Sequence, residues 1–477
     1  MKNVFFAVFL CLISCGIPRQ SKDLLRSELP EQQGVSSGGL LRYLTECEKS
    51  GDEMHRVMLL RHGKVVLDAV WKPFEPNDKQ TIYSCSKTFT ATAIGLLQDK
   101  GLLSVEDKVI SFFPNELPDS VSPNLASMRI KDLLTMSCGL GEEPHGIRSS
   151  DKWVRNFLAY PVDNKPGTVF KYNSMATFML SAIVQKVTGQ RLLDFLQQEL
   201  FSVLGIKDVD WEISPEGINT GGWGLRAHIE DMAKLGQLYL QKGKWNGKQI
   251  LSEKWVNEAT GAQIMQNPSA TEQERLQSDW LQGYGYQIWR CRHNSFRGDG
   301  AYGQFIIVLP DKDAVIAVQA SVSDMQAEIN RIWNYLLPAI KREKELAKDD
   351  ITYAFLCSIL NSLAITPPAS TAKGQSDISV NFGDTLNLTV STGGDTCYVK
   401  WRNDDFVFGR EKWIVGFTTR PVWNLLPNKS AFSEFPPFKV ACSYAWDSGT
   451  TSKDTASLAL YIKYLESPHT EKIVLSF

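Results

Sequence analysis

Apolar and polar positions change period several times along this chain, and each change marks an element. Val4–Ile13 is an unbroken apolar run behind a single Lys2. Arg56–Arg61 and Lys64–Trp71 are apolar-rich runs of strand length around His62-Gly63, the pattern of a β-hairpin. From about Ser84 to Leu204 helical spacing dominates. Its clearest helices are Thr88–Lys100, which stops at Gly101, and Met175–Val187. Strand-like runs return at Gly283–Cys291, Tyr302–Leu309 and Asp313–Ala320, and a helical stretch follows from Met325 to Leu346. One sheet is therefore built from both ends of a unit, with a mostly helical insertion between.

The stretch 365–376, with Pro367-Pro368, reads as a linker. Beyond it, Ile378–Val390, Tyr398–Trp401, Trp413–Phe417, Phe438–Trp446 and Ala456–Tyr464 cluster β-formers. They predict a separate all-β domain of about 100 residues, a usual domain size. The expected fold class is α/β (α+β): an antiparallel sheet flanked by helices with a helical insertion, then a small all-β domain. The expected divisions are 1–14 signal, 15–35 tether, 36–346 first folded unit, 347–376 helical segment and linker, and 377–477 all-β domain.

The first apolar run falls short of the ~20 residues that span a bilayer, so it predicts a secretory signal. Leu12-Ile13-Ser14-Cys15 resembles the lipobox of bacterial lipoproteins. That resemblance implies cleavage before Cys15 and lipidation of Cys15. The chain would be exported and anchored to a bacterial membrane, facing the periplasm. The polar residues after Cys15 suit a flexible tether.

Composition narrows the function. The 477 residues are 43% hydrophobic and 22% charged, as in folded proteins. Lys plus Arg is 51 against 53 Asp plus Glu, a net charge of −2 without a basic run, which argues against a nucleic-acid partner. The nine cysteines include no CxxC, and the six histidines are dispersed without HExxH, so no metal site is indicated. Cys397 and Cys442 share the C-terminal region and could pair in an oxidising compartment. No motif calls for a cofactor. Gly298, Gly300 and Gly303 match GxGxxG but lead into a strand, where no helix N-terminus could hold a pyrophosphate. The GxSxG at Gly34–Gly38 lacks the strand and helix of a nucleophile elbow.

Ser84-Cys85-Ser86-Lys87 is different. Ser84 and Lys87 stand one helical turn apart on one face, at the start of an apolar helix. Backbone N–H groups at a helix start stabilise developing negative charge. A lysine whose pKa is depressed can take the hydroxyl proton. Alone the spacing is weak, because Ser149–Lys152 and Ser370–Lys373 share it, but they lie in a polar loop and the linker. Two further elements follow: Tyr172-Asn173-Ser174 before a helix, and Arg297-Gly298-Asp299-Gly300-Ala301 at a strand, where glycines admit a ligand to the backbone.

In this order the three elements resemble the serine β-lactamase and penicillin-binding superfamily, in its class C-like branch of β-lactamases, esterases and D-amino-acid peptidases. Lys131–Leu140, Gly222–Arg226 and Asp231–Tyr239 fit the same likeness, which covers roughly residues 35–345. It implies that Ser84 is the nucleophile, Lys87 its activating partner and Tyr172 a proton relay. The backbone N–H groups of Ser84 and Ala301 would form the oxyanion hole. Asn173, Ser174, Asp299 and Gly300 would line the substrate. The reaction would be acylation of Ser84 and hydrolysis of the acyl-enzyme.

Two departures bear on the substrate. Ser174 stands where the family usually has Asn; its hydroxyl could still bond Lys87. Gly298 stands where the family carries a Lys or His beside a substrate carboxylate. Arg297 is adjacent, but on a strand it would face the other way. This favours a small-molecule or peptide ester or amide without that carboxylate over a β-lactam or a D-Ala-D-Ala peptide. Asp299 either favours a cationic substrate or serves a turn, the turn being the plainer expectation. The alternative to an enzyme is a binding or sensor protein on the same fold. In the C-terminal domain, Trp401, Trp413, Trp423 and Trp446 would either fill the β core, the preferred reading, or stack on the sugar rings of a glycan.

Overall fold

The structure, a computed structural model, describes residues 24–373, 378–381, 388–420, 422, 437–448 and 456–476. Cys15 and its lipobox lie outside the described residues, as does Trp423.

The hairpin expected around His62-Gly63 joins strands Glu53–Arg61 and Lys64–Val70. His62 (φ 51°) and Gly63 (φ 73°) both take left-handed backbone, which matches the right-handed twist of the strands they connect. The hairpin is one side of a mixed sheet. In order across it run Leu25–Arg26, Lys64–Val70, Glu53–Arg61, Ala314–Ser321, Gln304–Leu309, Phe296–Gly300 and Trp289–Arg290. Only the edge pair formed by Leu25–Arg26 is parallel. The period of two sends Val57, Leu59, Ile307 and Ile316 into one core, under the helices Ser37–Ser50 and Met325–Arg331. Met58, Leu60, Ile306 and Val315 enter the other core, against the helix Ile229–Leu240 and the insertion. The α/β architecture with an additional all-β sheet agrees with the sequence reading.

The boundaries differ in places. Only Trp289–Arg290 of the expected strand 283–291 is strand, because Gly283 (φ 105°) and Gln287 (φ 58°) break the extended backbone. Phe296–Gly300 pairs in register with Gln304–Leu309, although Arg-Gly-Asp-Gly alone reads as a turn. The turn is one step later, at Tyr302 (φ 65°) and Gly303 (φ 83°). The helix expected to reach Leu346 ends at Ala339 after a wider turn over Ile332–Leu336. A separate helix, Asp350–Ser362, precedes the linker.

The C-terminal sheet runs Ser379–Asn381, Leu388–Gly393, Thr396–Trp401, Asp404–Arg410, Phe438–Ser448, Ala456–Tyr464 and Thr470–Leu475, with Ile414–Thr418 also on Phe438–Ser448. The strands Asp404–Arg410 and Thr470–Leu475 were not anticipated from the sequence. Cys397 and Cys442 do not pair; both are buried free thiols. The strand Asp404–Arg410 lies between theirs, so two inter-strand spacings of ~4.8 Å separate them, more than a disulfide bridges. Trp446 is buried in the β core, as preferred from the sequence. The guanidinium of Arg420 covers Trp401, and Trp413 donates its indole N–H to the Ile365 carbonyl at 3.0 Å.

Candidate active site

Ser84 lies in a tight turn, Tyr83–Cys85, between the strand Gln80–Thr81 and the helix Ser86–Asp99. The turn is held from both sides. The Cys85 N–H donates to the Ile82 carbonyl at 3.1 Å, and Ser86 Oγ donates to the Tyr83 carbonyl. The Ile82 N–H reaches across to the Leu225 carbonyl at 3.0 Å. Ser84 is thus presented at a helix start, half-buried, on a pinned backbone.

One turn on, Lys87 is 1% exposed. Its Nζ lies 3.0 Å from Ser84 Oγ, 3.2 Å from Ser174 Oγ and 2.6 Å from the Gly222 carbonyl oxygen. Burial lowers its pKa to about 7, and Arg148 pushes the same way, while Glu143 and Asp299 oppose. The amine is therefore about half deprotonated at neutral pH, which an exposed lysine is not.

Tyr172 faces the same amine, with Lys87 Nζ 4.9 Å from its ring centroid. Its ring stacks on Trp289 at 5.8 Å, beside Met136, Phe170 and Tyr284. The segment before it is tied to the Lys131–Leu140 loop, with the Lys171 N–H on the Met136 carbonyl at 2.7 Å. Burial pushes the Tyr172 phenol well above its ordinary range, although a hydrogen bond with Ser84 pulls the other way. The lysine is shifted down and the tyrosine up, so burial favours the neutral form of both groups.

The other candidates divide. Ser174 Oγ meets Lys87, as above. Asn173 is buried, and its Oδ1 caps the helix Ser174–Thr188 by accepting from the N–H groups of Met175 (2.9 Å) and Ala176 (3.1 Å). Gly300 is buried where a Cβ would stand 2.3 Å from the Ile82 carbonyl and 3.2 Å from Cys85 N. It is a contact glycine that brings the strand end, and with it the exposed Ala301, against the Ser84 turn. At Gly298 a Cβ would stand 2.8 Å from Thr88 Oγ1, so the strand packs closely on the helix that follows Ser84.

Asp299 corrects the turn reading. It lies in the strand, opposite Phe305, and its Oδ2 accepts from Arg297 Nε at 2.7 Å. Arg297 is fully buried and also donates to the Asp279 carbonyl at 2.8 Å, with its guanidinium over Trp280. Asp299 is thereby paired with a buried arginine.

The sequence did not single out Gly222, Glu143 or Arg148 for a role. The Gly222 carbonyl holds Lys87, and a Cβ there would stand 2.7 Å from the Ser174 carbonyl. Glu143 Oε1 accepts from the Ser174 N–H at 3.3 Å and from Arg148 Nη2 at 2.7 Å. Arg148 lies over the Trp223 ring at 4.3 Å. Among the described residues, no group of three His, Cys, Asp or Glu side chains is placed to hold a metal.

The family model of Beta-lactamase matches residues 52–337. The chain is 25% identical over 345 residues to the 6-aminohexanoate-dimer hydrolase of Paenarthrobacter ureafaciens, covering 68% of this chain and 86% of that one. It spans about half the length, or less, of several other curated relatives of penicillin-binding and carboxypeptidase type. Among solved structures, the hydrolase EstCE1 superposes with a TM-score of 0.52 at 15% identity, over 64% of this chain and 99% of that one. The octameric penicillin-binding protein homologue of Pyrococcus abyssi has a TM-score of 0.51 at 19% identity, over 88% and 97%. At these identities the solved structures establish the fold.

Proposed function

The chain belongs to the Beta-lactamase family, and from that premise we propose that it hydrolyses an ester or amide through an acyl-enzyme on Ser84. The observation that carries this is the 3.0 Å approach of Lys87 Nζ to Ser84 Oγ, with the lysine pKa lowered to about 7. The neutral amine takes the hydroxyl proton as Ser84 Oγ bonds to the carbonyl carbon. The N–H groups of Ser84 and Ala301 receive the oxyanion; a donor of this kind is worth roughly 3–4 kcal/mol of barrier. As the carbon–leaving group bond breaks, the Tyr172 phenol passes a proton to the departing amine or alcohol and regains one from the Lys87 ammonium. Water then attacks the acyl-ester, gives up a proton by the same route, and releases a carboxylic acid and free Ser84.

The closed position at Gly298 supports substrates without the carboxylate that a lysine there would bind. The likeness to a 6-aminohexanoate-dimer hydrolase supports an amide among them. We place this chemistry in residues 36–346. The lipobox-like Leu12–Cys15 supports export and lipid anchoring at Cys15. A fluorophosphonate probe and a panel of chromogenic esters and amides test the reading. Labelling of Ser84 and turnover lost in Ser84→Ala support it. An unlabelled Ser84 with no turnover refutes it and leaves the binding-protein alternative.

A further inference from the structure

The C-terminal sheet reaches back to the nucleophile. Its strands Ala456–Tyr464 and Thr470–Leu475 are joined by a turn that docks on Gln80–Thr81, the strand leading to Ser84. The Thr81 N–H donates to the Glu466 carbonyl at 2.9 Å. Arg226, on the neighbouring strand, donates to Glu466 Oε2 at 2.6 Å while Asp210 holds its other edge. Leu465 is fully buried with Phe74, and Lys463 Nζ reaches both carboxylate oxygens of Glu53 at 2.7 Å. These are buried backbone, apolar and ionic contacts, so the turn is fixed in place rather than resting on the surface.

At the end of that turn is His469, 7% exposed. Its Nε2 lies 2.5 Å from the Tyr83 hydroxyl. Its ring stands edge-on to Tyr302 at 4.9 Å and to Tyr83 at 6.1 Å, and the two tyrosines meet at 5.4 Å. Burial holds the imidazole pKa at about 4, so at neutral pH Nε2 can accept the phenolic proton. Tyr83 immediately precedes Ser84, and Tyr302 immediately follows Ala301. Both carry left-handed backbone, φ 48° and 65°. Such backbone costs a non-glycine residue about 1 kcal/mol or more and persists where the surroundings over-determine it. His469 touches both residues at once.

We infer that His469 is a positioning residue of the hydrolase. By fixing Tyr83 and Tyr302 it sets the backbone N–H groups of Ser84 and Ala301, and the C-terminal domain is thereby a built-in wall of the active site. This rests on the acyl-enzyme reading above. Both tyrosines are half-buried, each next in the chain to one of the two N–H donors. The occupied oxyanion hole, more than substrate affinity, depends on the contact.

The test uses the full chain with His469→Ala, His469→Gln and Tyr83→Phe. Tyr83→Phe keeps the ring and removes only the hydroxyl. For a small chromogenic ester, His469→Ala and Tyr83→Phe are expected to lower kcat about tenfold with KM within about twofold. The double variant should be no worse than either single one, and His469→Gln, which restores an acceptor, should recover most of kcat. Amide hydrogen exchange by mass spectrometry gives a readout independent of turnover: His469→Ala should speed exchange in residues 82–86 and 300–304 together. Unchanged exchange in both segments, or additive losses in the double variant, overturns the inference. A wild-type chain whose Ser84 takes no fluorophosphonate refutes the hydrolase reading, and the exchange result still decides the positioning role.

Discussion

Lys87 Nζ lies 2.6 Å from the Gly222 carbonyl oxygen, closer than its 3.0 Å to Ser84 Oγ. The carbonyl takes one N–H of the amine and so fixes which way the remaining groups point. In the proposed mechanism a neutral amine held in this way keeps its lone pair for the serine, and after proton transfer the same carbonyl stabilises the ammonium.

Gly222→Ala should therefore act on chemistry before it acts on binding. The new Cβ would stand 2.7 Å from the Ser174 carbonyl and 3.4 Å from Lys87 Nζ. Backbone cannot yield there as a side chain would, so the Gly222 segment must move away from the lysine. The expected outcome is a loss of kcat of about tenfold or more, and a stability loss of about 1–3 kcal/mol from overpacking. Steady-state kinetics beside urea melts separate the two. Unchanged kcat with normal stability would deny the carbonyl its role.

This contact also shows where sequence reading stops. That Ser84, Lys87 and Tyr172 meet was legible because one helical turn relates the first two and a Tyr-x-Ser before a helix marks the third. Gly222 is 135 positions from Lys87, and a backbone carbonyl carries no residue signature. Its only trace was a glycine in a phrase that fitted the family. Glu143 and Arg148 stand outside the three motifs, and no spacing links them to Lys87. The strand Phe296–Gly300 was legible only in part. Two glycines and an aspartate have low strand propensity, and their packing on Thr88 and on the Ser84 turn carries no local signal.

The lysine pKa predicts the pH dependence. As the proposed base, Lys87 acts only when neutral, so kcat/KM should rise with pH with a midpoint of about 7. The stability effect has a definite sign. The folded pKa lies below the unfolded value near ~10.4, so between those limits the unfolded chain binds the extra proton and stability rises with pH. Below pH 7 both states are protonated and the folded state carries the whole penalty of a buried ammonium. Lys87→Met should abolish turnover. It should also raise the melting temperature most at acidic pH, with the gain shrinking as pH rises from 7 to 10. A gain independent of pH would mean that the lysine is not neutralised on folding.

Restoring the family's cation should fail. In Gly298→Lys, a Cβ would meet Thr88 Oγ1 at 2.8 Å and Ile306 at 3.6 Å. The strand must lift from the nucleophile helix, at about 1–3 kcal/mol, and Ala301 moves with it. The expected result is weaker ester turnover and no gain in acylation by benzylpenicillin. Faster acylation at undiminished stability would show that the position is open and that the substrate preference has another origin.

Asp299 offers the sharpest separation of a structural from a substrate-binding role. Its carboxylate is 2.7 Å from Arg297 Nε, and Arg297 is fully buried. Removing one partner of a buried pair strands the other charge, so Asp299→Asn should cost about 3 kcal/mol, read as a lower urea midpoint. The same carboxylate raises the Lys87 pKa through space. Its neutralisation makes the ammonium less favourable, so the acid limb of the kcat/KM profile should move to lower pH. KM for a cationic ester relative to a neutral one should not change, because the arginine already satisfies the carboxylate. A selective rise in KM for the cationic ester, with stability intact, would instead make Asp299 a cation subsite.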